Sequence, residues 1–429
     1  MKRSLLILCT AVVLLHDKSW SDDATQVRPC EDPPTVIRSD RAFDGTGVIP
    51  ELTVIIRCTK IERVIKSGNL DELPADSVVI EGQGRFLMPG LIDSHTHTFR
   101  REMLERSLNF GVTTVLDMGS LAAGFKRAID AEDSAGQVDD RADMLGAVIW
   151  VTAPGSHGTQ FGDSPTLEDP QKANEFIAER VADGADFIKI IYDNFKMFDS
   201  PVPTLSKETM QAAVEAAHAH GRMAVFHSRD VEAYTDAALA GADGFVHLPV
   251  DEVADDNLLS LLKQEEIFVM PNLSLARADG IRFAQDPVIG AMLTEDEISN
   301  LKGFRALQRE GGDKVVYDSV KVFRDKGVTI LSGTDSPNGG TTVGASMHLE
   351  LELLVEAGLT SVEALAAATS TPATVFGLDD RGRIAEEMLA DLVLVQGAPD
   401  QVITDTRNIL MTWKAGKVHP GTMSVEDPD

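Results

Sequence analysis

Cysteine, positive charge and long apolar runs are all scarce in this 429-residue sequence. Three cysteines, Cys9, Cys30 and Cys58, are too few to build a disulfide-stapled miniprotein. Lys and Arg number 39 against 68 Asp and Glu, a formal charge of −29. Such an excess of acid repels phosphates, so neither nucleic acid nor an anionic membrane is an expected partner. The one notable apolar stretch, Leu5 to Leu15, is too short to span a bilayer. The sequence also lacks a G-x-S-x-G serine elbow, a G-x-x-x-x-G-K-[ST] phosphate loop and a strand-borne G-x-G-x-x-G. Serine-hydrolase, nucleoside-triphosphate and dinucleotide chemistry therefore have no anchor in it.

What is present is organised. Lys2 and Arg3 precede the apolar stretch and Ser19-Trp20-Ser21 follows it with small residues, the pattern of a signal peptide over 1–21. The sequence thus predicts export, to a periplasm or out of the cell. Cys30 and Cys58 remain after processing, and a disulfide or two free thiols are equally compatible with the sequence. From Phe86 to Ser336, β-branched runs alternate with amphipathic helical stretches, as in parallel βα units. The strand candidates are Leu91–His97, Thr113–Met118, Ala147–Ala153, Phe187–Tyr192, Met223–Ser228, Gly244–Leu248, Ile267–Pro271 and Thr329–Thr334. Eight is the number of a closed barrel, with an open doubly wound sheet as the alternative. The flanks, around Val36–Val79 and Arg383–Val418, read instead as short alternating strands with turns. The expected fold is α/β: a (β/α)8 TIM barrel over 86–381, with a small β-sandwich formed by both chain ends, 22–85 and 382–429.

The ten histidines carry the chemistry. His95 and His97 close the first strand candidate, and residues two apart on a strand share a face, so both rings can aim at one point in the barrel mouth. His227 closes the fifth strand, His247 the sixth and Asp335 the eighth, all at the end where barrel active sites are built. Imidazole and carboxylate suit zinc and similar divalent ions. The second His-x-His pair, His218 and His220, ends a predicted helix over Ser206–His220. Two helical positions turn by about 200°, so those rings diverge and Gly221 supplies the stop. His16 leaves with the signal peptide, and His348 and His419 read as structural. Lys189 stands inside Phe187-Ile188-Lys189-Ile190-Ile191, where a charged amine is costly. Deprotonated near cations, it could take up carbon dioxide and present a bridging carbamate.

On Pro89-Gly90-Leu91-Ile92-Asp93-Ser94-His95-Thr96-His97, Gly184-Ala185-Asp186-Phe187-Ile188-Lys189, Gly333-Thr334-Asp335-Ser336 and Ala390-Asp391-Leu392-Val393, the sequence resembles the amidohydrolase superfamily. It is most similar to the imidazolonepropionase-like and metal-dependent Xaa-Pro dipeptidase branch. The resemblance implies two divalent ions, with zinc expected. His95, His97 and Asp335 would hold one, His227 and His247 the other, and carboxylated Lys189 would bridge them. It also implies that Asp335 takes a proton from a metal-bridging hydroxide or water and delivers it to the leaving amine. His157, in Gly155-Ser156-His157-Gly158, resembles a substrate-contacting histidine of the family. Arg229, two residues beyond His227, could pair with a substrate carboxylate or stand as a solvated surface arginine. Related dipeptidases tend to carry tyrosine thereabouts, a departure that bears on dipeptide specificity. Tyr192 could stabilise an oxyanion or simply pack.

The sequence therefore predicts a binuclear hydrolase of an amide C–N bond in a peptide, an N-acyl amino acid or a cyclic amide. The alternatives are a one-metal deaminase or imidazolone-type ring-opening hydrolase, and a barrel that only binds ligand. The expected partner is a small-molecule substrate, and homo-oligomerisation is left open.

Overall fold

A computed structural model describes residues 32–66, 73–136, 138–196, 201–277, 280–303 and 312–420. The expected signal peptide, His16 and Cys30 lie outside them. Cys58 is disulfide-bonded.

Four strands open the described chain: β1 (Thr35–Phe43), β2 (Val48–Arg57), β3 (Lys60–Lys66) and β4 (Val78–Pro89). β4 runs on past residue 86, where the sequence placed the start of the barrel. Seven short parallel strands follow: β5 (Leu91–Thr96), β6 (Val112–Asp117), β7 (Asp143–Gly146), β8 (Ile188–Ile191), β9 (Ala224–His227), β10 (Gly244–Val246) and β11 (Phe268–Met270). The chain ends in β12 (Leu392–Gln396), β13 (Ile409–Lys414) and β14 (Lys417–Pro420).

Both chain ends share one seven-stranded sheet, ordered β14-β13-β12-β4-β1-β2-β3. Its strands alternate in the faces they bury, which follows from the period of two in the sequence. Leu392 and Leu394 of β12 join Leu87 of β4 in one apolar cluster, while Val393, Val395, Phe86 and Met88 join the larger core.

β5, β6 and β7 form a three-stranded parallel sheet and β8 to β11 a four-stranded one. Single bridges connect their edges: Val151 with Ile190, Val269 with Ile330, and Thr96 with Ser336. The pairings thus run in a cycle from β5 through β11 and the segment around residues 329–336 back to β5. Ile92, Leu116, Ala147, Phe187, Val225, Val246, Phe268 and Leu331, one from each parallel segment, pack into a common cluster.

Two strand expectations change. The third strand is Asp143–Gly146, not Ala147–Ala153, because Val148 at φ 62° takes the chain out of the ladder. Val151 alone returns to pair with β8. Thr329–Thr334 is held by isolated bonds, Leu331 N–H to the Val269 carbonyl at 2.9 Å and Ser94 N–H to the Ser332 carbonyl at 3.0 Å, rather than by a continuous ladder.

The helices carry clear local signals. Ser206 caps Lys207–Ala219 by accepting the Thr209 N–H, and Gly221 at φ 65° follows its end. His218 bonds Asp243 and His220 bonds Asn174, so the pair diverges as its helical spacing dictates. His348 is buried between Thr406 Oγ1 and the Phe110 carbonyl, each at 3.0 Å. His419 bonds the Asp139 carbonyl.

Candidate metal centre

The C-terminal ends of the parallel strands, with the loop after Val151, bring five histidines into a row. His95 and His97 leave β5 with ring centroids 5.3 Å apart. His95 lies 5.4 Å from His247, His247 lies 4.5 Å from His227, and His227 lies 4.9 Å from His157. Asp335 sits against the first pair, its Oδ1 3.2 Å from His95 Nε2 and 2.8 Å from His97 Nε2. Its Oδ2 is 3.7 Å from His247 Nε2. The ligand atoms of His95, His97 and Asp335 all lie within 4.8 Å of one another.

The far nitrogens of the first pair are already engaged. His95 Nδ1 faces Asn272 Oδ1 at 3.1 Å and His97 Nδ1 faces the Gly119 carbonyl. Acceptors at both positions fix the proton on Nδ1 and turn each Nε2 lone pair toward the centre, the arrangement metal-binding imidazoles need. The approach of the eighth segment to β5 depends on Gly333, where a Cβ would lie 2.9 Å from His95 Cβ.

Lys189 projects from β8 into this centre and is buried, as are His95, His227 and Asp335. Its Nζ has no hydrogen-bond partner among the described residues. His227 Nε2, likewise buried, is 3.3 Å from Asp193 Oδ2 but not aligned for a hydrogen bond. Two orphaned buried nitrogens beside imidazoles and carboxylates fit a cation, since burial without a partner would otherwise be a net cost.

Charge is redistributed accordingly. Burial pushes the Asp335 carboxyl up, but His95, His97 and Lys189 more than offset it and hold it at about 2. Burial holds the Lys189 amine down at about 7, against the pull of Asp335 and Asp117. Burial also drives His95, His227 and His247 well below the usual imidazole value, which keeps their lone pairs free. Burial is the largest influence on His97 and lowers it, but the hydrogen bond and charge of Asp335, with Asp117 and the Gly119 carbonyl, together move it up.

The substrate-side candidates fare unevenly. His157 stands at the end of the histidine row, packed on Phe195 at 4.7 Å and Phe161 at 5.7 Å, and burial with Arg229 nearby lowers it to about 4. Arg229 donates from Nε to Asp193 Oδ2 at 2.8 Å and stacks over Phe195 at 4.1 Å. Tyr192 takes the packing alternative. Its hydroxyl donates to Asp236 at 3.2 Å, and it packs with Ile188 and Ile190 in the larger core rather than with Phe187 in the cluster shared by the parallel segments. Strand parity explains both this and a residue the sequence reading missed: if Lys189 points inward, Asp193 does too and Tyr192 does not. Asp193 is buried beside His227. Asn272 was also missed, and no local pattern marks it.

A profile of the amidohydrolase family matches residues 86–419. The chain belongs to that family. This amidohydrolase is 24% identical over 386 residues to imidazolonepropionase of Streptomyces griseus, covering 86% of this chain and 93% of that enzyme. Its fold is similar to a crystal structure of a Xaa-Pro dipeptidase with bound methionine in the active site, at a TM-score of 0.73 and 22% identity, over 90% of this chain and 100% of that one. It is similar also to molinate hydrolase, at a TM-score of 0.70 and 20% identity, over 90% of this chain and 94% of that one. Membership of the family supports an enzyme of hydrolytic class.

Proposed function

We propose that this amidohydrolase is a two-metal enzyme that cleaves an amide C–N bond in a peptide, an N-acyl amino acid or a cyclic amide. One observation carries the reading: four imidazoles, the Asp335 carboxylate and the orphaned Lys189 amine converge at one end of the parallel strands. In this reading the cycle of parallel segments is a (β/α)8 barrel over 86–381, and the seven-stranded sheet belongs to the small sandwich. His95, His97 and Asp335 hold one ion and His227 and His247 the other, with zinc suited to the donor set. Lys189 has a neutral amine available near pH 7. Its attack on carbon dioxide forms an N–C bond, releases one proton and leaves a carbamate with two oxygens for the ions.

Divalent ions bound there supply an activated water and polarise the scissile carbonyl. The chain's own groups do the rest. Asp335, ionised at neutral pH, accepts the proton of the attacking water and returns it to the leaving nitrogen. His157 stays neutral and offers a hydrogen bond to substrate. Arg229, oriented by Asp193 and Phe195, faces a substrate carboxylate. A one-metal reading, for deamination or ring opening, draws on the fact that among the described residues only His95, His97 and Asp335 group tightly enough to share an ion.

Metal analysis of the purified protein with and without bicarbonate separates the two. Two ions per chain and a bicarbonate requirement are expected, together with hydrolysis within a panel of dipeptides, N-acyl amino acids and cyclic amides. One ion, indifferent to bicarbonate, favours the one-metal reading. Metal-loaded protein inert across the panel revives the barrel that only binds. Export belongs to the same proposal, and N-terminal sequencing of secreted protein should begin at Asp22.

A further inference from the structure

The two halves of the site meet in one side chain with no role in the reading above. Asn272 follows β11 and is buried. Its Oδ1 faces His95 Nδ1 at 3.1 Å and accepts the His247 backbone N–H at 3.0 Å. Its Nδ2 donates to the Gly333 carbonyl at 2.8 Å. This orientation of the amide satisfies all three contacts, with the oxygen toward two donors and the nitrogen toward an acceptor. His95 then carries its proton on Nδ1 and presents a bare Nε2 to the centre. His247 itself sits at φ 66° and Asp335 at φ 58°, two residues past Gly333, so the main chain at both needs support.

We propose that Asn272 is a positioning residue that couples the two metal subsites: a single amide sets the ring of His95, the backbone of His247 and the approach of the Asp335 segment. The inference rests on the two-ion reading. Three features are built around the amide. Asn272 has φ 52°, a left-handed conformation that asparagine tolerates better than most residues. The next two backbone N–H groups, of Leu273 and Ser274, are taken by the buried Glu350 carboxylate at 2.9 and 2.7 Å. Gly333 leaves room for the amide, since a Cβ there would come within 3.3 Å of Asn272 Nδ2.

Other side chains fail for separate reasons. Alanine leaves the His95 and His247 donors without an acceptor. Aspartate keeps that acceptor but turns a second oxygen toward the Gly333 carbonyl. Glutamine is one methylene too long for a fixed backbone.

The test is equilibrium dialysis of the full chain against zinc at graded chelator, for wild type, Asn272→Ala and Asn272→Asp. Circular dichroism of the metal-free proteins reports folding. Asn272→Ala is expected to weaken both ions by about 10- to 100-fold, with Asn272→Asp between it and wild type. The visible spectrum of cobalt-loaded protein should change in Asn272→Ala and return toward wild type in Asn272→Asp. A folded Asn272→Ala protein that keeps both affinities, or loses only one, overturns the coupling. Should Asn272→Ala not fold, wild-type affinity for both ions in Asn272→Asp overturns it. Fewer than two ions in wild type overturns the two-ion reading and the coupling with it. Two ions in wild type with an indifferent Asn272 overturns the coupling alone.

Discussion

Asp335 faces His95 and His97 through one oxygen, and its other oxygen points toward His247. Asp335→Asn preserves the shape and removes the proton acceptor. The variant should retain much of its metal and lose about 10²- to 10⁴-fold in kcat, the range of a general acid–base group. Metal analysis beside steady-state kinetics checks this, and an unimpaired rate removes Asp335 from the role. At this scale His95, His97, His227, His247 and Asp335 were legible because each ends a strand-like run. Parity should also have revealed Asp193 and favoured packing for Tyr192. Asn272 was beyond reach, since its meaning comes from three partners 25 to 177 positions removed.

Individual elements hold the frame through caps and buried polar contacts. Thr360 and Glu363 form a reciprocal capping box on the helix Ser361–Ala367. Thr360→Ala should cost about 1 kcal/mol in denaturant unfolding and leave kcat unchanged. His348, on the helix Ala345–Glu356, is pushed down to about 3 by burial, with Arg407 adding to it. The unfolded chain binds a proton near the ordinary value while the folded one does not, so stability falls as pH drops from about 6.5 toward 3. At pH 5 the loss from this one group is about 2 kcal/mol. His348→Gln should flatten that slope by close to one proton near pH 5, an effect that fades above pH 6.5, readable from unfolding curves between pH 5 and 7. An unchanged slope would refute the assignment. The helix Lys207–Ala219 was legible from its spacing and cap, whereas the third strand was displaced because nothing local announced the left-handed Val148.

At the scale of the whole molecule, residues from β5, β8, β9, β10 and the segment before residue 336 share one centre, so ion binding joins distant parts of the chain. A ligand bound to the folded state alone stabilises it by mass action, roughly 4 kcal/mol at a thousandfold excess over its Kd. Chelation should therefore lower Tm by several degrees and broaden protease susceptibility around residues 95–98 and 333–336. Zinc with bicarbonate should restore both. A Tm unchanged by chelator would argue against ions that bind across these strands.

The sequence by itself determined the alternation of strand and helix, the ligand-type residues at strand ends and the acidic balance, because periodicity and residue chemistry are local properties. Only the tertiary structure decided which side chains share a centre. It packed Tyr192 in the larger core and Asp193 beside His227, left Lys189 without a partner among the described residues, and gathered His95, His247 and Gly333 around one amide. Those outcomes depend on how far separated segments pack, and packing is settled by the sum of many contacts that no single stretch of sequence contains.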